Sequence, residues 1–128
     1  WQEIAPKIEA VWITVHAGEH PRFMPEILAP LFEHKVKSWT RRNSDQVARG
    51  VLMSISRKDY DDLGKFYAQT TARIFNGAKP RDLPQEFREP LKIAINTETA
   101  RRIGYEIPPA VLVIADEVYE TIDDTPFE

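Results

Sequence analysis

Cysteine is absent from the 128 residues, which excludes a disulfide framework and thiolate chemistry. Its absence suits a bacterial cytoplasmic or periplasmic protein and separates neither. No apolar run approaches the length needed to cross a bilayer. Basic excess is missing too: 17 Lys and Arg stand against 20 Asp and Glu, a net charge of −3, without the basic stripe of a nucleic-acid binder. There is no internal repeat and no low-complexity segment. No Gly-x-Ser-x-Gly turn and no Gly-rich phosphate loop occur, so an enzyme on a flavodoxin-like scaffold is the least favoured function class. The adjacent pairs Asp61-Asp62 and Asp123-Asp124 do not rescue it, because neighbours on a helix point about 100° apart and do not converge. The chain starts at Trp1 without a signal peptide, which predicts a processed or truncated product.

What is present suits one domain, with 42% hydrophobic residues available for a core. Trp1, Ile4, Ala5 and Ile8 recur at helical spacing and predict the tail of a helix. Ala10–Val15 is β-branched and aromatic, and its near-continuous apolarity predicts a central strand buried on both faces. Met24, Ile27, Leu28, Leu31 and Phe32 predict a helix over 22–34, with Pro25 accepted in its first turn and Pro30 kinking or interrupting it. Val36–Trp39 predicts a second strand, and Val51–Ile55, introduced by Gly50, a third. Ser56 and Asp59 read as a capping box. The helix behind them is the clearest in the chain, with Tyr60, Leu63, Phe66, Tyr67, Thr70, Ile74 and Phe75 on one face and Asn76-Gly77 at its end. Pro80 and Pro84 stiffen an extended connector, and Leu91–Ile95 alternates like a half-buried strand. A short helix runs from Thr97 to Gly104, and Pro108-Pro109 open a last helix reaching Glu120. The acidic end, 119–128, is expected to be a mobile tail. This alternation argues for an α/β fold on a mostly parallel sheet.

Candidate binding residues lie where the predicted strands end, because ligands of open α/β sheets gather there. The first strand delivers Thr14 and a polar loop with His16, Glu19 and His20. His16 and His20 are four apart, but Gly18 and Pro21 argue against a helix there and no third ligand is evident, so solvated loop histidines are preferred to a metal site. The second strand ends in Arg41-Arg42-Asn43-Ser44, whose planar guanidinium forks match carboxylates and phosphates; an ordinary solvated loop is the bland alternative. Ser54 and Ser56 lie at a strand-to-helix junction suited to an anion, although a serine at a helix start usually only caps it. No catalytic residue, metal or cofactor is expected.

The stretch Gly77–Val118 carries a more specific signal. It reads Gly77-Ala-Lys-Pro80, a strand ending Ile95-Asn96, the short Thr-bearing helix from Thr97, Ile107-Pro-Pro109 and Ala115-Asp-Glu-Val118. That order resembles the C-terminal end of ABC-transporter substrate-binding lipoproteins of the tryptophan/tyrosine-type uptake family. Upstream, Ala10-Val-Trp-Ile13, His34-Lys-Val36, Gly50-Val-Leu52, Asp59-Tyr60 and Leu63-Gly64 fall where that family has comparable segments. The resemblance implies a three-layer α/β sandwich, the C-terminal lobe of a type I periplasmic binding protein whose N-terminal lobe is absent. It implies a membrane-anchored extracytoplasmic protein that closes on a small molecule and delivers it to a permease.

Two departures shape the expectations. A lone lobe exposes an apolar surface and a sheet edge, and such edges recruit other chains, so a dimer or larger assembly is expected. Where the family usually has a Ser-Asp-Glu loop, this chain has Arg41-Arg42-Asn43-Ser44, which predicts a ligand with an anionic group facing that loop. A ligand-sensing module of the same fold in a signalling protein is the alternative function.

Overall fold

The computed structural model describes residues 1–14, 21–41, 44–55, 61–87 and 91–125. In chain order the strands are β1 (Ala10–Ile13), β2 (Lys37–Thr40), β3 (Met53–Ile55), β4 (Ile93–Asn96) and β5 (Glu117–Tyr119). The helices are α1 (Met24–Glu33), α2 (Ser44–Ala48), α3 (Asp61–Phe75), α4 (Thr97–Ile103) and α5 (Pro109–Ile114). They fall into two compact units, one of residues 1–58 and 92–128 and one of residues 59–91.

In the larger unit the strands form one sheet in the order β1-β2-β3-β4-β5. Pairing is parallel between β1 and β2, β2 and β3, and β4 and β5, and antiparallel between β3 and β4. The α/β class and the mostly parallel sheet are as the sequence implies. Alternation puts Val11, Ile13, Ser38, Thr40, Ser54, Ala94 and Asn96 on one face. Most of that face is buried, and Ile13 joins Met24, Ile27, Leu28 and Leu31 of α1, with Val36 and Val51, in the main core. Trp12, Trp39, Met53, Ile95 and Val118 share the other face, which is only partly covered.

Buried polar groups tie the covered face together. The Asn96 amide donates to the carbonyls of Val47 (2.8 Å) and Thr121 (3.0 Å), and its Oδ1 caps α4 by accepting from the Thr99 N–H (2.8 Å). Thr99 Oγ1 donates to the Gly50 carbonyl at 2.9 Å, and the Leu52 N–H donates to Ser38 Oγ at 3.1 Å. Each bond satisfies a group whose burial would otherwise be costly. Gly50 has φ +108°, and a Cβ there would stand 3.1 Å from Leu28, so the turn between α2 and β3 needs glycine twice over.

Several local expectations are corrected. Residues 1–8 form turns and a 3-10 segment, Ala5–Lys7, because Pro6 offers no N–H with which to propagate an α-helix. β1 is an edge strand among the described residues, and Trp12 is 49% exposed. Its apolarity serves a stacked pair instead, Trp12 on Trp39 with centroids 5.0 Å apart at 11°. α1 runs uninterrupted through Pro30. A proline inside a helix costs about 3 kcal/mol, and burying Ile27, Leu28 and Leu31 at ~1.5–3 kcal/mol each outweighs it. The stretch before β3 is helical (α2), and the strand itself is only Met53–Ile55. The connector contains a 3-10 turn, Pro80–Asp82. The last helix stops at Ile114, and Glu117–Tyr119 becomes β5, because Asp116 brackets Ile93 from both sides: its N–H donates to the Ile93 carbonyl and its Oδ2 accepts from the Ile93 N–H, each at 2.8 Å. Beyond β5, the Asp123 N–H donates to the Ala48 carbonyl at 2.8 Å and Arg49 donates to the Thr125 carbonyl at 3.1 Å.

The smaller unit is α3 with its connector. Gly77, at φ +93°, closes the helix as expected, with its N–H donating to the Ile74 carbonyl at 2.9 Å. Phe66 contacts Tyr67 and Phe87 with ring centroids 5.7 and 5.4 Å apart.

Candidate functional site

Parallel pairing brings the C-terminal ends of β1, β2 and β3 to one edge of the sheet. Ile13, Thr40, Ser54, Ala94 and Glu117 form the last rung shared by all five strands. Thr14 and Arg41 follow immediately after β1 and β2, and both are exposed. Ser54 belongs to the rung but is fully buried on the covered face, where its Oγ has no hydrogen-bond partner among the described residues. Ser44, which ends the arginine loop and starts α2, is buried too, and its Oγ is likewise without a partner among the described residues. His16, Glu19, Arg42, Asn43 and Ser56, and with them the His16/His20 pair and the Ser56–Asp59 box, lie outside the described residues. So the structure brings Thr14 and Arg41 to one exposed edge and turns Ser54 inward.

The edge also holds a carboxylate that sequence reasoning did not single out. Because β4 is antiparallel to β3, its start, Ile93, faces the same edge. Asp116 is bonded there to both backbone groups of Ile93. Its place in Ala115-Asp-Glu-Val118 was visible, but nothing local announced a strand partner 23 residues earlier.

The carboxylates with perturbed acidity lie elsewhere. Glu98 is on α4, which starts where β4 ends, at the opposite edge of the sheet. Hydrogen bonds from Arg101 and then Arg102 hold its carboxyl down to about 2. The same contact raises the Arg101 guanidinium. Asp123 is lowered chiefly by the Thr125 hydroxyl and then by the Thr125 N–H.

Among the cavities of the larger unit, two border the sheet and α1, and neither has Thr14, Arg41 or Ser54 in its wall. One, of about 450 Å³, runs along α1 and is bordered by Arg22, Arg49, Arg102 and Asp123. The other, of about 240 Å³, is apolar and lies on the second sheet face between Trp39, Met53, Ile95, Tyr105, Ile107 and Val111. Among the described residues no group of three His, Cys, Asp or Glu could hold a metal ion, and no helix is long and apolar enough to cross a membrane.

No curated protein matches the chain. Solved structures do. A conserved domain protein from Vibrio cholerae O1 biovar El Tor is 26% identical, with a TM-score of 0.65 over 91% of this chain and 38% of that one. An ABC domain from Streptococcus pneumoniae, solved in complex with L-Trp, is 26% identical, with a TM-score of 0.64 over 91% of this chain and 39% of that one. The ligand-free, open structure of a substrate-binding protein with adhesive properties from Clostridium difficile, 19% identical, shares the fold at a TM-score of 0.71 over 93% of this chain and 39% of that one. This chain therefore spans about two-fifths of the length of these solved chains. The model of the ABC transporter substrate binding protein family matches residues 27–119, from α1 through β5, and the chain belongs to that family.

Proposed function

We propose that this chain is one lobe of the solute-binding component of an ABC uptake transporter, and that the solute lies against the edge formed by the ends of β1, β2 and β3. The observation that carries the reading is the family membership of a segment whose three parallel strands end together at an exposed polar edge. A single lobe of a clamp offers an open face, which agrees with the exposure of Thr14 and Arg41 at the strand ends. The role is binding, not catalysis. The solute is amino-acid-like or an organic anion, and its anionic group faces Arg41 and Arg42; the Streptococcus relative was solved with L-Trp, an amino acid that carries such a group.

The second lobe, a membrane permease and an extracytoplasmic location with a lipid anchor complete the proposal. The 128-residue chain by itself is expected to associate through its β1 edge, since that strand is paired on one side only among the described residues. Light scattering at rising concentration tests this, and a persistent monomer removes it.

The functional test is native mass spectrometry of the longer protein that carries this chain, followed by release of any bound molecule under denaturing conditions. A co-purified small anion or amino acid supports the reading. An empty protein with no thermal shift across a panel of amino acids and organic anions removes it. Arg41→Ala and Arg42→Ala separate the charge argument from the rest: solute binding that survives both at full affinity leaves a binding protein whose arginine loop is a solvated surface.

A further inference from the structure

The covered face of the sheet is not uniform. Under α1 it is apolar, and Ile13 meets Met24, Ile27, Leu28 and Leu31 there. α2 packs against β3 and β4, and its surroundings are polar. Every buried polar side chain among the described residues belongs to β2, β3, β4, α2 or the start of α4.

Within this polar layer, pairing changes with position. Toward Gly50, where α2 has ended, each side chain has a backbone partner: Ser38 with Leu52, Asn96 with Val47 and Thr121, and Thr99 with Gly50. Toward the other end, where β2 and β3 finish and α2 starts, the pattern reverses. Ser44 Oγ, Gln46 Oε1 and Ser54 Oγ are buried and have no partner among the described residues. Ser54 is in register with Thr40 of β2, and Ser44 follows Thr40 by four residues. The three oxygens therefore belong to one interface, that of α2 with the ends of β2 and β3.

A buried oxygen without a partner is costly, so three in one layer ask for one. Their chemistry narrows the choice. Two are hydroxyls that can donate or accept, and the third is an amide oxygen that only accepts. None is charged, so the set does not suit an ion. Ser54 is fully enclosed, so the occupant is small. A buried water makes about three hydrogen bonds to groups of this kind.

We propose that Ser44, Gln46 and Ser54 hold a buried water between α2 and β3, and that this hydrated joint positions the stretch carrying Arg41 and Arg42 for the solute. The inference rests on the solute-binding reading above. The link to the arginines is short: they lie between Thr40 and Ser44, two buried residues that anchor the ends of the stretch. Where Ser44 rests on its water fixes one of those ends. The three side chains are positioning residues, since they are buried and act through the loop.

A crystal structure of the longer protein that carries this chain, at a resolution that shows ordered water, tests the site. It should show a water within hydrogen-bond distance of all three oxygens. Oxygens bonded directly to one another, or to Arg42, Asn43 or Ser56, with no water between them, would overturn the proposal. Two variants of the longer protein test the positioning. Ser54→Ala removes one partner of the water, and Ser54→Thr keeps the hydroxyl. The probe is the tightest-binding member of the panel of amino acids and organic anions, L-tryptophan included. Ser54→Ala should weaken its binding by about 3- to 10-fold, and Ser54→Thr should restore most of that. Melting temperatures without the probe are read alongside. A lowered melting temperature with unchanged affinity of the folded protein would mean a structural role alone and would overturn the positioning. A wild-type protein that holds the water and binds no member of the panel sinks the solute-binding reading, and the positioning role with it. Full affinity in Ser54→Ala sinks the positioning role and leaves the solute-binding reading in place.

Discussion

α1 and α3 carry comparable apolar stripes in the sequence, yet they end in opposite states. α1 lies on the sheet and buries Met24, Ile27, Leu28, Pro30 and Leu31, while α3 buries nothing. Amphipathicity states that a helix needs a partner; it does not state which surface supplies it. α1 also tolerates an internal proline, which a helix without such burial would not survive.

The comparison can be sharpened by mutation. The largest effects belong to α1. Leu28→Ala or Leu31→Ala should destabilise the larger unit by about 2–5 kcal/mol in urea melts followed by fluorescence of the stacked Trp12–Trp39 pair. Phe75→Ala should leave that same transition in place, because the side chain is 84% exposed. Equal losses from the α1 and α3 variants would abolish the distinction.

Next comes the polar lock. Asn96→Ala removes the α4 cap and leaves the Val47 and Thr121 carbonyls unpaired, a loss of about 2–4 kcal/mol in the same melts. Asn96→Asp keeps the cap but not the two donations, and should recover only part of it.

The smallest effect is at the surface of α4. The Glu98 carboxyl is held at about 2 against an ordinary 4.5, so its pairing with Arg101 and Arg102 favours the fold above pH 4.5 and is lost as pH falls toward 2. Glu98→Gln should flatten that part of the acid titration of stability, and an unchanged profile would show that the exposed pairs contribute nothing. Arg41→Ala completes the series: its side chain is exposed, and stability should move by less than about 0.5 kcal/mol whatever happens to solute binding.

Local chemistry made several pieces legible before any coordinates. Gly77 and Gly104 stop their helices with positive φ, as the end of each apolar pattern requires. Thr97–Gly104 and the Pro108-Pro109 start are also where the pattern puts them. The site was less legible. Thr14 and Arg41 were readable as strand-end residues, but Ser54 was not readable as buried, because a three-residue strand does not disclose which face a helix will cover. β5 was hidden for a similar reason. Glu117–Tyr119 is a strand because β4 is beside it and Asp116 bonds to Ile93, a pairing no local window contains.

By itself, then, the sequence determined the α/β class, most of the helices and their ends, and the order of motifs that marks the family, since each of these depends on contacts within a few residues. The tertiary structure alone decided that β1 is an edge among the described residues, that β5 exists, that Asn96 locks three segments together and that α1 buries its apolar face on the sheet while α3 has no buried residue. Those outcomes depend on which distant surfaces meet, and periodicity records only that a surface is apolar, not what will cover it.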